Sequence, residues 1–296
     1  SQIKFLTTAQ AHALTSSQIQ AMSGTQIAAM SAAQLSKLDS DTVQAMGSDA
    51  LSALTTNQIR GLSTDFIDTL TSDQVQLLDS DQIAALTTAQ VNALDTDDIG
   101  GLSTDQIAGL TSFQLNNIDA DLLGAFSADQ VEALSSTQVK GLSTDSMALL
   151  STDQVAALSA SAIGGLRAEQ LNSLDSDGVA ALVTGVGDIS SVQFGQLSTD
   201  FIDNLGSTQM AALSSDQLSR LSSSQIGALE SDDLAQFDAA TQLTGLSSNQ
   251  IAYLSSDQAA GLTEAQIGSL TTTQVKGFNT EVLANLDSAQ VSALTS

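Results

Sequence analysis

LSTDQIAGL, residues 102–110, is the stretch that decides the fold, because nearly every other segment of the chain is an edited copy of it displaced by eight residues. The last apolar residue of each copy falls at Leu6, Leu14, Met22, Met30, Leu38, Met46, Leu54, Leu62 and onward in eights to Leu182. The unit is an octapeptide, and 296 residues give room for 37 of them, enough for repeats to fill the chain. Numbered from its polar side it reads Ser/Thr/Asp, Ser/Thr, Asp or a small residue, Gln, Ile/Val/Leu, a variable residue, Ala/Gly, Leu. Internal repetition of this kind is dealt with before any estimate of domain number.

Eight residues do not suit one continuous α-helix. At about 100° per residue each unit would rotate its apolar pair by about 80° and leave no persistent stripe. The polar half supplies an interruption: Ser103 with Gln106, Ser151 with Gln154 and Thr87 with Gln90 have the spacing of a capping box. Asp65, Asp73, Asp105, Asp129, Asp153 and Asp216 then fall in the first helical turn, where the helix dipole favours negative charge. About six helical residues follow each cap, too few to be stable alone, so each short helix must lean on its neighbours.

Ile107 and Leu110 lie three apart on one face, with a small residue between them. The sixth position, held by His12, Gln20, Arg60, Asp68, Glu132, Lys140 and Lys276, reads as the solvent side. The expectation is an all-α solenoid of short capped helices, one per octad, stabilised by interfaces between successive units. A parallel β-solenoid is the alternative, but strict alternation would strand the Leu on the wrong face, and Ala and Gln suit strands poorly.

The register runs unbroken from residue 1 to 182. Within it Gly61, Gly101 and Gly141 each precede LSTD, and Asp39, Asp79 and Asp119 recur at the same 40-residue interval. Five octads therefore form a candidate super-repeat, expected to match a whole number of turns. Two irregularities follow: VTGVGDI at residues 183–189 has seven residues, and DAATQLTGL at residues 238–246 has nine and restores the phase. Between them LSTDFIDNL at Leu197 echoes LSTDFIDTL at Leu62. Neither irregularity resembles a linker, so residues 1–296 read as one octad array; both ends lie inside the pattern, as in a segment of a longer chain.

Composition excludes several classes of function. Only 14% of the residues are charged, yet 33 acidic residues face 7 Lys and Arg, a formal net charge of −26. That balance argues against a nucleic-acid partner and against attraction to anionic lipid. No apolar run approaches the roughly 20 residues that span a bilayer. The absence of cysteine removes disulfides and thiolate chemistry. An apolar fraction of 42% with fixed spacing argues against disorder.

Paired carboxylates come nearest to a site. Asp39 and Asp41, Asp79 and Asp81, Asp95 and Asp97, Asp119 and Asp121, and Asp175 and Asp177 place two acids at the first and third positions of an octad. Glu230, Asp232 and Asp233 crowd together as well. These are the candidates for weak calcium binding, although the glycine turn and distal glutamate of an EF-hand are missing. As a cap and a first-turn acid, each pair also makes sense without metal. No other cofactor is expected. His12 is the single histidine and offers neither a catalytic triad nor a haem ligand pair. GVGD at residues 185–188 lacks the lysine of a phosphate loop. No catalytic residue is assigned, and the chain reads as non-enzymatic.

LTTAQVNAL at Leu86, LSTDQVAAL at Leu150 and LTTTQVKGF at Leu270 resemble the LTTxQIxAL repeats of long bacterial proteins described as surface, adhesin-like or haem-utilisation-or-adhesion proteins. The likeness covers essentially the whole chain. It implies exported, cell-surface stalk or fibre material. Together with the acidity and the open-ended repeat, it leads to the expectation of a structural protein that self-associates into an extracellular filament, sheath or adhesive stalk. The alternative is a monomeric module presenting rows of Ser, Thr and Gln to a glycan or the cell surface.

Overall fold

A computed structural model of the chain describes residues 2–183 and 185–294. Among them are thirty-four α-helices and three 3-10 helices, each of three to six residues, and no strand. The expected all-α architecture is the observed one. The chain divides into two compact units, Ser1–Leu150 and Ser151–Ser296, and the division falls at the end of an octad.

Each octad builds its helix as its residues dictate. In Thr104–Gly109 the Ser103 hydroxyl accepts from the Gln106 N–H, and the Gln106 side chain accepts from the Ser103 N–H. Leu110 ends the helix with φ −60° and ψ 131°, its N–H donating to the Ile107 carbonyl. Thr111 follows with φ −77° and ψ 154°. Two consecutive extended residues thus turn the chain into the next helix. No described residue needs a positive φ, so the glycines are not there as left-handed corners.

Several of them serve by small size. At Gly141 an added Cβ would lie 2.6 Å from Cβ of Ser112, and at Gly245 it would lie 2.6 Å from Cβ of Ser215. The seventh position of one octad presses against the second position of an octad one turn earlier.

Within unit 1, the helix Ser80–Ala85 packs on Thr56–Gly61 before it and on Thr104–Gly109 after it, each three octads away. In unit 2 the helix Ser256–Ala260 packs in the same way on Thr280–Asn285. Fifth-position residues form the centre of each coil: Ile59, Ile83, Ile107 and Val139 in unit 1, and Ile226, Ile251 and Ile267 in unit 2, are no more than 1% exposed. Burial of each such side chain contributes about 1.5–3 kcal/mol, which a lone helix of six residues cannot obtain. The eighth-position leucines close the core, and the sixth-position His12, Gln20, Arg60, Asp68, Glu132, Lys140 and Lys276 are exposed as expected.

The hydrogen bonds between turns measure the coil. His12 Nδ1 lies 2.8 Å from the Lys37 carbonyl, 25 residues ahead, whereas Gln74 Nε2 donates to carbonyls 28 and 31 residues behind. An octad therefore touches its third and fourth neighbours, and one turn takes between three and four octads. This corrects one expectation: the 40-residue echo of Gly61, Gly101 and Gly141 does not span a whole number of turns. No helix among the described residues is long and apolar enough to cross a membrane.

Candidate functional site: the glutamine row between turns

The polar half of the octad reads in sequence as a surface, but its glutamine is inside. Gln90 and Gln217 are 1% exposed and Gln170 is fully buried. A buried carboxamide is tolerated only when its acceptor and both donors find partners. Gln106 shows how this is met. Its Oε1 accepts from the Ser103 N–H at 2.9 Å, while Nε2 donates to the carbonyls of Val75 at 3.1 Å and Leu78 at 2.7 Å. One side chain thereby satisfies an orphan N–H at the start of its own helix and, at the end of a helix one turn earlier, the Leu78 carbonyl and the second lone pair of the Val75 carbonyl, which already accepts from the Leu78 N–H. Gln82, Gln114 and Gln130 repeat the arrangement in unit 1. Gln225, Gln258 and Gln274 repeat it in unit 2.

The bond is counted in octads, not residues. Across regular sequence Gln106 and Gln274 reach back 31 and 28 residues. After the nine-residue segment, Gln250 reaches back 32 and 29. After the seven-residue segment, Gln209 reaches the Val179 carbonyl 30 residues back. An inserted or deleted residue shifts the count by one, and the partner octad stays the same.

In three octads whose fourth position is not glutamine, a substitute comes from one turn away. Phe66, Leu122 and Phe201 fill the space with apolar bulk and leave the cap N–H without its usual acceptor. In those octads the Ser63 N–H donates to Ser36 Oγ at 2.9 Å, Asp119 N–H to Asn92 Oδ1 at 3.2 Å, and Ser198 N–H to Asn172 Oδ1 at 2.8 Å. Ser36, Asn92 and Asn172 all hold the sixth position of an octad in the preceding turn. The sequence carries this pairing, but it is visible only once the length of a turn is known. Thr42 makes a partial replacement, its hydroxyl donating to the Leu14 carbonyl at 3.3 Å.

Two fourth-position residues are acids. Asp98, 4% exposed, accepts from the Asp95 N–H at 3.1 Å, and burial pushes its carboxyl above the ordinary carboxylate range. Burial likewise raises Asp233, with the Glu230, Asp232 and Asp203 charges acting in the same direction. Each acid stands 32 residues after a fourth-position phenylalanine, Phe66 or Phe201, in the two near-identical STDFID octads.

The sequence-predicted calcium candidates are placed chiefly as caps. Asp39, Asp79, Asp95 and Asp175 each accept from a backbone N–H three residues on, at 2.8 to 2.9 Å. Asp119 instead accepts from Asn92 Nδ2 at 3.2 Å. Their partners Asp41, Asp81, Asp97, Asp121 and Asp177 lie exposed in the first helical turn. Hydrogen bonds from the Thr42 side chain and backbone hold the Asp39 carboxyl below its ordinary range. Glu230 is a cap residue without a side-chain capping bond, and Asp232 and Asp233 follow it in the first turn. Among the described residues no three His, Cys, Asp or Glu side chains form a group able to hold a metal ion.

Comparison with known families agrees with the repeat itself. The family model described as the ALTTAQ repeat matches residues 43–79, 77–112, 123–160 and 226–264. Those stretches are similar to that repeat and include Gln82, Gln90, Gln106, Gln130 and Gln258. No curated protein matches the chain.

Proposed function

We propose that this chain is a non-enzymatic structural repeat protein that forms or decorates a bacterial extracellular filament, sheath or adhesive stalk by self-association. The observation that carries the reading is the recurrence of the glutamine bonds along both units. The same three bonds recur in many octads, so added glutamine octads extend a coil by like increments, as in other quasi-one-dimensional repeat proteins. The surplus of acidic residues keeps such coils soluble at low salt and suits an environment where cations screen them. Calcium at the Asp pairs belongs to this reading as weak screening between neighbouring coils.

The test is direct. Sedimentation velocity and negative-stain microscopy of the purified chain, in physiological salt with and without calcium, should show elongated assemblies, and antibody labelling of intact cells should find the protein outside. A strictly monomeric protein that is missing from the cell surface would overturn the proposal. The second reading, a monomeric module binding a glycan or the cell surface, is narrowed by the buried glutamines, which leave Ser, Thr and Asp for any outward-facing row. Substituting those residues would then abolish glycan binding without altering assembly.

A further inference from the structure

We propose that the hollow at the seven-residue segment of unit 2 is a binding site for a primary ammonium group carried on a short hydrocarbon stem. The octad rule identifies what is missing there. Gln217 donates to the carbonyls of Val186 and Ile189, which makes Val186 the fifth and Ile189 the eighth position of the shortened octad. The fourth position, where glutamine belongs, is therefore Gly185. By the same count its absent side chain would have reached the carbonyls of Val155 and Leu158, 30 and 27 residues back, the spacing that Gln209 and Gln193 keep beside this segment. Among the described residues no side chain donates to either carbonyl.

A hollow lies beside the glycine, next to the end of the Ile163 side chain. It has a volume of about 390 Å³ and is lined by Val155, Leu158, Ile163, Val183, Gly185 and Asp188, among others. A Cβ on Gly185 would press into Ile163 Cδ1, the free end of a side chain that must turn aside to admit it, and would come next to Leu182.

Elsewhere in the coil the equivalent carbonyl pair takes an NH₂ group, as the Val75 and Leu78 carbonyls do at 3.1 and 2.7 Å. The recognised group must therefore offer at least two N–H donors from one nitrogen. Asp188 in the lining and the net charge of −26 select a cation over a neutral amide. Val155, Leu158, Ile163 and Val183 select an alkyl stem. A free alkylamine and a lysyl side chain share this chemistry.

The experiment is an amide-NMR titration of the 296-residue chain with n-butylammonium chloride, against tetramethylammonium chloride at equal ionic strength. Saturable shifts at Leu158, Ile163, Gly185 and Asp188 with n-butylammonium alone are expected. Asp188→Asn should weaken binding about tenfold, as loss of one charge-assisted hydrogen bond predicts. Gly185→Gln, which supplies the missing side chain, should abolish it. Equal shifts with tetramethylammonium, or an affinity unchanged in Asp188→Asn, would overturn the proposal; this arm stands even if Gly185→Gln fails to fold. Titration with N-acetyl-lysine methylamide separates the sources: matching affinity assigns the site to a lysyl side chain, and binding of the free amine alone assigns it to a small molecule.

Discussion

The two irregular segments of unit 2 depart from the octad by one residue each, in opposite directions, and with different consequences. Residues 238–246 gain a residue and keep the glutamine. Gln242 accepts from the Asp238 N–H four residues away at 2.7 Å and still donates to the carbonyls of Met210 at 3.0 Å and Leu213 at 2.6 Å. The surplus is taken up locally, where Asp238 Oδ1 accepts from the N–H groups of Ala240 and Thr241 and from the Thr241 hydroxyl. Residues 183–189 lose a residue and the glutamine together, and a hollow opens at Gly185. The contrast teaches that the fixed element of this protein is the bond between turns, with spacing secondary to it. Octad length can vary if a fourth-position carboxamide remains to find its two carbonyls.

The sharpest way to break that comparison is Gln242→Leu. It should destabilise unit 2 by about 2 kcal/mol, because the Asp238 N–H and the Leu213 carbonyl lose their partner while the Met210 carbonyl keeps the Leu213 N–H, and Gln106→Leu in regular sequence should cost about as much. Urea unfolding of both variants measures this, and a much smaller cost for Gln242→Leu would mean that the nine-residue segment is held by its local turn alone. Glycine gives the next largest contrast. Gly245→Ala drives a Cβ to 2.6 Å from Cβ of Ser215, an overpacking expected to cost about 2 kcal/mol. Gly187→Ala in the shortened segment meets nothing nearer than 3.4 Å and should change the midpoint by less than about 0.5 kcal/mol.

A fourth position holding an acid tests the row through pH. Burial raises the Asp98 carboxyl above its ordinary value of 3.8, so its charged form is the one the fold disfavours. The stability tied to this group is fully present below that ordinary value and is lost as pH climbs through the raised one. Asp98→Asn should remove that loss, leaving a variant whose unfolding midpoint gains on the parent between acid and neutral pH. A parallel pH profile for the two would contradict the placement. The smallest effect belongs to the turn at Asp238, where hydrogen bonds from the Thr241 side chain and then its backbone hold the carboxyl below its ordinary range. Thr241→Val should move the Asp238 titration, followed by carbon-detected NMR, upward while leaving Gln242 buried.

Much of this was legible in the residues. Ser103 with Gln106 announced a capped helix because capping is settled within three residues. The exposed sixth position followed from the spacing of Ile107 and Leu110. The Asp pairs were readable as caps with a first-turn acid, and Asp39, Asp79, Asp95 and Asp175 are placed so. Other features were not legible. Gln106 looked like a surface residue because only one of its three partners is local; the other two sit 28 and 31 residues away. Ser36, Asn92 and Asn172 looked like ordinary variable residues, since nothing in the octad shows that each faces an octad lacking glutamine. Sequence alone therefore determined the short helix, its cap, its apolar face and its acidity, all of them set by neighbours within one octad. Tertiary structure decided the length of a turn, because the changes of direction at each Leu–Ser/Thr junction add up over three to four octads before the glutamine Nε2 meets its carbonyls.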